Sequence, residues 1–238
     1  MYIVFDIGAS KMRIASSKNA EDILQSKIIP TPEKFEEGMR AFKNAVGELS
    51  ADEKIEASAG GVAGPLDKTR SNLLNPPNLP MWAGAPIKTE LGRICQSPVF
   101  LENDTAIVGL GEAVAGAGVG KNIVAYITVS SGVNGVRIEG GQISRSSAGF
   151  EIGQQIINYN EKPGDLESYI SGHAFQSRFG KKPYEITDPG IWEEAALILA
   201  KCVKCNRIYY RSTLPKHCQW PGCDGLLHVI DVQEGHRM

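Results

Sequence analysis

The feature that most constrains this chain is a pattern that occurs twice: an apolar strand, a Gly/Ser turn and a returning strand. The first copy covers residues 2–15, around Asp6-Ile7-Gly8-Ala9-Ser10 with Lys11 following. The second covers residues 123–138, around Ser130-Ser131-Gly132-Val133-Asn134-Gly135. Strand-like and helix-like segments alternate in both halves, which favours an α/β protein. Glycine at such turns lets backbone N–H groups converge on a phosphate with no Cβ in the way. Ser10, Ser130 and Ser131 add hydroxyl donors, and Lys11 adds a positive charge. Neither turn is a P-loop, because no Gly-x-x-x-x-Gly-Lys-Ser/Thr occurs. One such turn alone reads more readily as a tight hairpin; a pair, one heading each half, points to two halves closing on one phosphate chain.

The rest of the organisation follows from local pattern. A third strand is expected at 27–29, and Pro32 opens a helix. Its apolar residues Phe35, Met39, Phe42, Val46 and Leu49 fall on one helical face, as in a helix packed on a sheet. A strand over 55–59 leads into a long Gly-, Pro- and Asn-rich loop over 60–86, a length usual for functional or unstructured segments. A short helix over 87–94 and a strand over 99–101 bring the chain to Glu102-Asn103-Asp104. Strand C-terminal ends are where open α/β sheets bind ligands, so these polar groups are candidates to hold hydroxyls and supply a base. They read equally well as the cap of the small-residue helix over 105–115. The glycine-dense segment 116–120 reads as a boundary. The expected divisions are therefore an N-terminal α/β domain (1–115), a partial second α/β domain (116–201) and a Cys-rich tail (202–238). Within the second, Gly140-Gly141 turns a hairpin into Ile143, residues 166–179 read as helical, and Asp188-Pro189 opens a helix over 191–201.

Charge decides which partners to expect. Lys+Arg number 25 against Asp+Glu 27, a formal charge of -2, which argues against binding nucleic acid or membrane through bulk charge. No apolar run reaches the ~18 residues of a membrane span. The first residues carry no basic, apolar leader, so a cytoplasmic location is expected. In that setting Cys202, Cys205, Cys218 and Cys223 point to a metal rather than to disulfides. Cys202-x2-Cys205 and Cys218-x4-Cys223 suit tetrahedral Zn²⁺ in a small zinc-ribbon-like tail, with His217 and His228 as replacement ligands. Two other readings stay open: an altered continuation of the preceding domain, or sequence out of frame after about Ser212.

Asp6-Ile7-Gly8-Ala9-Ser10-Lys11 resembles the first phosphate motif of the ROK (repressor, open reading frame, kinase) sugar kinases. Gly61-Val62-Ala63-Gly64-Pro65 and Asn75-Pro76-Pro77-Asn78-Leu79-Pro80-Met81-Trp82 are similar to that family's sugar loop. Glu102-Asn103-Asp104-Thr105-Ala106 is similar to its catalytic segment, and residues 128–135 to its second phosphate motif. Ala148-Gly149-Phe150-Glu151-Ile152-Gly153 and Leu166-Glu167-Ser168-Tyr169-Ile170-Ser171-Gly172 resemble its two sugar-contacting Glu segments. The six segments occur in the family's order over residues 1 to about 201. The resemblance implies an actin-like ATPase (ribonuclease-H-like) two-domain fold and ATP-dependent phosphorylation of a glucose-like hexose. Asp104 would be the general base. Asn78, Asn103, Glu151, Gln154 and Glu167 would hold the sugar. Asp6, Gly8, Ala9, Ser10, Lys11, Ser130, Ser131 and Gly132 would bind the phosphates with Mg²⁺. A homodimer is common among such proteins. A sugar-binding regulator of the same family is the alternative expectation, although a first strand at Tyr2 leaves no helix-turn-helix ahead of it. The chain departs from the pattern in four places: Gln154 stands where a His is usual, Ala9-Ser10 where Gly-Thr is usual, and residues 155–165 contain no His or Cys. No adenosine-binding Gly-Gly turn with its flanking strand and helix follows residue 201, so the second domain reads as incomplete.

Overall fold

The computed structural model describes residues 1–145, 152–159 and 162–199, with the backbone of two short paired strands at Lys201–Cys202 and Arg207–Ile208. The described chain divides into two compact units. The first comprises Met1–Val124 and Ile138–Ile143, and the second the remainder.

The first unit is built on a five-stranded sheet. Its strands are β1 (Tyr2–Ile7), β2 (Lys11–Ser17), β3 (Gln25–Pro30), β4 (Ala57–Val62) and β5 (Val99–Asn103), in the order β3-β2-β1-β4-β5. The strands β1, β2 and β3 form an antiparallel meander, and β4 and β5 add parallel to β1. Two helices, α1 (Phe35–Ser50) and α2 (Ile87–Cys95), cover one face. The apolar stripe expected on α1 is buried throughout. Its residues Phe35, Met39, Phe42, Val46 and Leu49 pack with Ile3, Phe5 and Ile7 of β1 and Met12 and Ile14 of β2. Phe42 meets Phe5 edge-on, with ring centroids 5.5 Å apart, the arrangement an aromatic quadrupole prefers. The small-residue helix α3 (Asp104–Ala115) follows β5 without a gap.

The strand expected at 55–59 is found at Ala57–Val62, because it starts two residues later and runs on through Gly60-Gly61-Val62. Glycine weakens a strand read locally, but Gly60 is there for contact. A Cβ on it would lie 2.1 Å from the Phe5 carbonyl oxygen.

The sheet β6 (Ile123–Val129), β7 (Val133–Glu139) and β8 (Gln142–Ile143) contains the expected hairpin. Gly140 and Gly141 turn it at φ 57° and 73°, values that glycine adopts readily. The second unit adds the hairpin β9 (Ile156–Tyr159) and β10 (Lys162–Asp165) and the helices α4 (Glu167–Ile170), α5 (Gly172–Phe179) and α6 (Pro189–Leu199). Val133, Ile152, Ile157, Leu166, Ile170 and Ile198 form its core. The single helix expected over 166–179 is two helices. Ser171 adopts extended backbone (φ -71°, ψ 161°), and its hydroxyl oxygen accepts from the Ala174 N–H at 3.0 Å, so it ends α4 and caps α5. Asp188 caps α6 as expected, accepting from the Gly190 N–H at 2.9 Å. No helix among the described residues is long and apolar enough to cross a membrane.

Trp82, in the long loop before α2, is fully buried. Its indole N–H donates to the Pro32 carbonyl at 3.2 Å, and its ring packs edge-on against Phe35 at 5.2 Å. Trp82→Ala is expected to destabilise the first unit by about 3–5 kcal/mol, the usual cost of deleting a large buried ring. Thermal unfolding checks it, with Trp82→Phe falling between the two.

Candidate functional site

Because β1, β4 and β5 are parallel, their C-terminal ends gather at one edge of the first unit's sheet. The register places Asp6 opposite Gly61 and Gly61 opposite Glu102. A Cβ on Gly61 would lie 2.9 Å from the Asp104 Cα, so only glycine admits the start of α3 this close to β4. Asn103 caps α3 by accepting from the Ala106 N–H at 3.3 Å, while its amide donates to the Gly64 carbonyl at 3.2 Å. Cap and site residue are therefore the same side chain, which also ties the long loop to the strand end.

Asp104 lies next, at the first position of α3. Burial pushes its carboxyl above the usual aspartate range, and the nearby Asp6 charge adds to this. A hydrogen bond of 2.7 Å from the Thr105 N–H to Oδ1 works in the opposite direction. A half-buried carboxylate with a raised proton affinity is suited to general-base work.

The first Gly/Ser turn is closed by the Gly8 N–H, which donates to the Lys11 carbonyl at 3.0 Å. The Thr31 hydroxyl donates to the Gly8 carbonyl at 2.7 Å, and the Thr31 N–H to the Ser10 carbonyl at 3.1 Å. Ala9 packs against the core, whereas Ser10 and Lys11 are exposed. Asp6 pairs with Arg13 across β1 and β2 at 2.7 Å. Asn78 is exposed in the long loop, between buried Pro76 and Leu79.

Sequence reasoning missed a cluster in that loop. The Asp67 carboxylate accepts from the Ser71 N–H (2.8 Å), the Asn72 amide (2.6 Å) and the Thr69 hydroxyl (2.9 Å). These bonds, the Ser71 N–H foremost, hold its carboxyl down at about 2. Within this turn Arg70 forms an ion pair with Glu102. Burial raises the Glu102 carboxyl and Arg70 opposes that shift. The available signal was an Asp followed by Thr, Ser and Asn within five residues, the composition of an Asx turn.

In the second unit the other Gly/Ser turn is held from outside. The Gly172 N–H donates to the Ser130 carbonyl at 2.7 Å and the His173 N–H to the Ser131 carbonyl at 3.2 Å, so the start of α5 grips the turn. Glu167, expected on the sugar, accepts from the Val133 N–H through Oε2 at 2.7 Å. A Cβ on Gly132 would lie 2.8 Å from that oxygen. Gln154 is exposed at the end of a short 3-10 turn, Ile152–Gln154. Within the stretch without His or Cys, β9 and β10 pair antiparallel. Asp165 accepts from the Ser168 N–H at 2.7 Å, and the Tyr159 and Tyr169 rings meet edge-on at 5.9 Å. Glu151 lies outside the described residues, as do Cys205, Cys218 and Cys223 and the side chain of Cys202. Among the described residues no three His, Cys, Asp or Glu side chains group as a metal site.

The model of the ROK family matches residues 2–211. The chain belongs to the ROK family. As a ROK protein it is 31% identical to a Streptomyces coelicolor glucokinase over 205 residues, covering 82% of this chain and 62% of that one. It is 30% identical to the bifunctional enzyme NanE/NanK of Brucella melitensis over 174 residues, 71% of this chain and 33% of that one. It thus spans about a third to three-fifths of the length of these relatives. Among solved structures, the ROK hexokinase of Thermus thermophilus superposes with a TM-score of 0.71 at 26% identity, covering 84% of this chain and 74% of that one. A Streptomyces griseus ROK glucokinase, solved with glucose and AMPPNP, superposes with a TM-score of 0.61 at 30% identity, covering 74% and 59%. The mixed α/β fold of this ROK chain is accordingly the actin-like ATPase fold.

The Glu167–Val133 bond predicts a local effect. Glu167→Ala removes a charged acceptor, a loss that corresponds to about a 10- to 100-fold faster amide exchange at Val133. Hydrogen exchange read by NMR checks it, and unchanged protection would show that the turn stands without Glu167.

Proposed function

We propose that this chain phosphorylates a hydroxyl of a glucose-like hexose with ATP as donor. The observation that carries the reading is Asp104: a half-buried carboxyl with raised proton affinity, at the gathered ends of three parallel strands, beside Asn103 and Asp6. Family membership supports it, as do relatives named glucokinase and N-acetyl-D-glucosamine kinase.

In this reading Asp104 accepts the proton of the sugar hydroxyl as that oxygen attacks the γ-phosphorus. The bond to the bridging oxygen breaks, and ADP leaves with the electron pair. Positioned proton transfer of this kind contributes ~10²–10⁴-fold. Asn78, Asn103, Glu151, Gln154 and Glu167 hold sugar hydroxyls. The turns containing Gly8, Ala9, Ser10 and Lys11, and Ser130, Ser131 and Gly132, hold the phosphates through backbone N–H groups and hydroxyls. Asp6, near the end of β1 and next to the first turn, is the carboxylate suited to hold a hydrated Mg²⁺. When bound, that ion neutralises charge on the phosphates. In this reading the enzyme works in the cytoplasm.

Asp104→Asn is expected to cut turnover by ~10²-fold or more while hexose binding, read by calorimetry, persists. Turnover near that of the unsubstituted protein would remove Asp104 from the mechanism. The raised proton affinity of Asp104 sets a second expectation. The base is ionised only above its shifted value, so kcat/KM should fall, as pH drops, at a higher pH than an ordinary aspartate would give. A pH–rate profile with glucose, N-acetylglucosamine and mannose as alternative substrates measures this limb and ranks the hexoses.

A further inference from the structure

The Arg70–Glu102 pair is not explained by the roles above. Arg70 is neither Gly nor Asn, yet its backbone is left-handed at φ 54°. Residues hold such a conformation where their surroundings over-determine it, and here the surroundings are visible. The Asp67 carboxylate gathers Thr69, Ser71 and Asn72, the Arg70 N–H donates to the Asp67 carbonyl at 2.9 Å, and Leu66 bridges Leu73 across the turn. The strained turn delivers the Arg70 guanidinium to Glu102. Their side chains are only 29% and 17% exposed, so the pair is mostly withdrawn from water. Surface ion pairs hold little, but a desolvated pair is costly to break from one side.

The two ends of the pair differ in what they carry. Glu102 is the residue before Asn103 and Asp104 on β5. Arg70 belongs to the loop that continues through Asn78 to its anchor at Trp82. We infer that Arg70 is a positioning residue: its pair with Glu102 clamps the hexose loop to the strand end that bears the base. The inference rests on the kinase reading above and adds a determinant of hexose affinity. The Asn103 amide on the Gly64 carbonyl ties the loop once, near its start. Arg70 ties it again six residues later, which fixes the loop's angle as well as its distance. Neither Arg70 nor Glu102 needs to touch substrate for this role.

The test compares Arg70→Gln, Glu102→Gln, the double variant and Arg70→Lys. Each glutamine variant is expected to raise hexose KM about 10- to 100-fold, the usual effect of losing one charge-assisted pair. Nucleotide KM should stay unchanged and kcat should stay within about threefold. The double variant should be no worse than the worse single one, because both substitutions remove one interaction. Arg70→Lys, which keeps the charge, should recover most of the affinity. A general loss of folding would instead lower kcat and both affinities together, and that outcome, or unchanged hexose KM in Arg70→Gln, overturns the inference. If the unsubstituted chain phosphorylates no hexose, the kinase reading fails on its own. The clamp is then read by hydrogen exchange: faster exchange over residues 66–78 in Arg70→Gln supports it, and unchanged exchange overturns it.

Discussion

The close packing of β4 between β1 and β5 is the constraint on which the first unit's candidate site depends. Gly60 lies against the Phe5 carbonyl, and Gly61 lies against the Cα of Asp104. Any side chain at Gly61 would push α3 off the sheet, and Asp104 would move with it. The same bare strand leaves Asp6 and Glu102 on either side of Gly61 in register, with no side chain between them. Three carboxylates then share one sheet edge, and each has its own counterweight: Arg13 for Asp6, Arg70 for Glu102, and the Thr105 N–H for Asp104.

The long loop after β4 has little regular structure, yet several fixed points hold it. Trp82 is buried beneath α1, the Asp67 carboxylate organises the turn around Arg70, and Asn103 holds the carbonyl of Gly64. Backbone polar groups outside a ladder need other partners, and the Asp67 carboxylate supplies one for the Ser71 N–H while also accepting from the Thr69 hydroxyl and the Asn72 side-chain amide. Asn78 is left exposed between buried Pro76 and Leu79, an arrangement suited to a group that meets ligand. In the second unit the turn at 130–132 is shaped in the same manner, by donors from the start of α5 and by the Glu167 carboxylate on the Val133 N–H.

Much of this was legible along the chain. The stripe from Phe35 to Leu49, the Gly140-Gly141 hairpin and the Asp188 cap are set by spacing and by residue type within a few positions, so local pattern reveals them. The repeated strand, turn and strand favoured an α/β protein, and the resemblance of six segments in order over residues 1 to about 201 pointed to the family. The sequence by itself determined which residues of α1 lie on its buried face, where several turns and caps fall and that the chain is α/β, because periodicity and turn chemistry act over short separations; the actin-like fold came from the resemblance of its motifs. Only the tertiary structure decided that β4 continues through Gly60 and Gly61, that Ser171 divides the 166–179 helix, that Asn103 is both a cap and a tether, and that Arg70 reaches Glu102. Most of these depend on partners tens of residues away, and what selects them is the approach of one backbone or carboxylate to another, which leaves no periodic trace in the sequence.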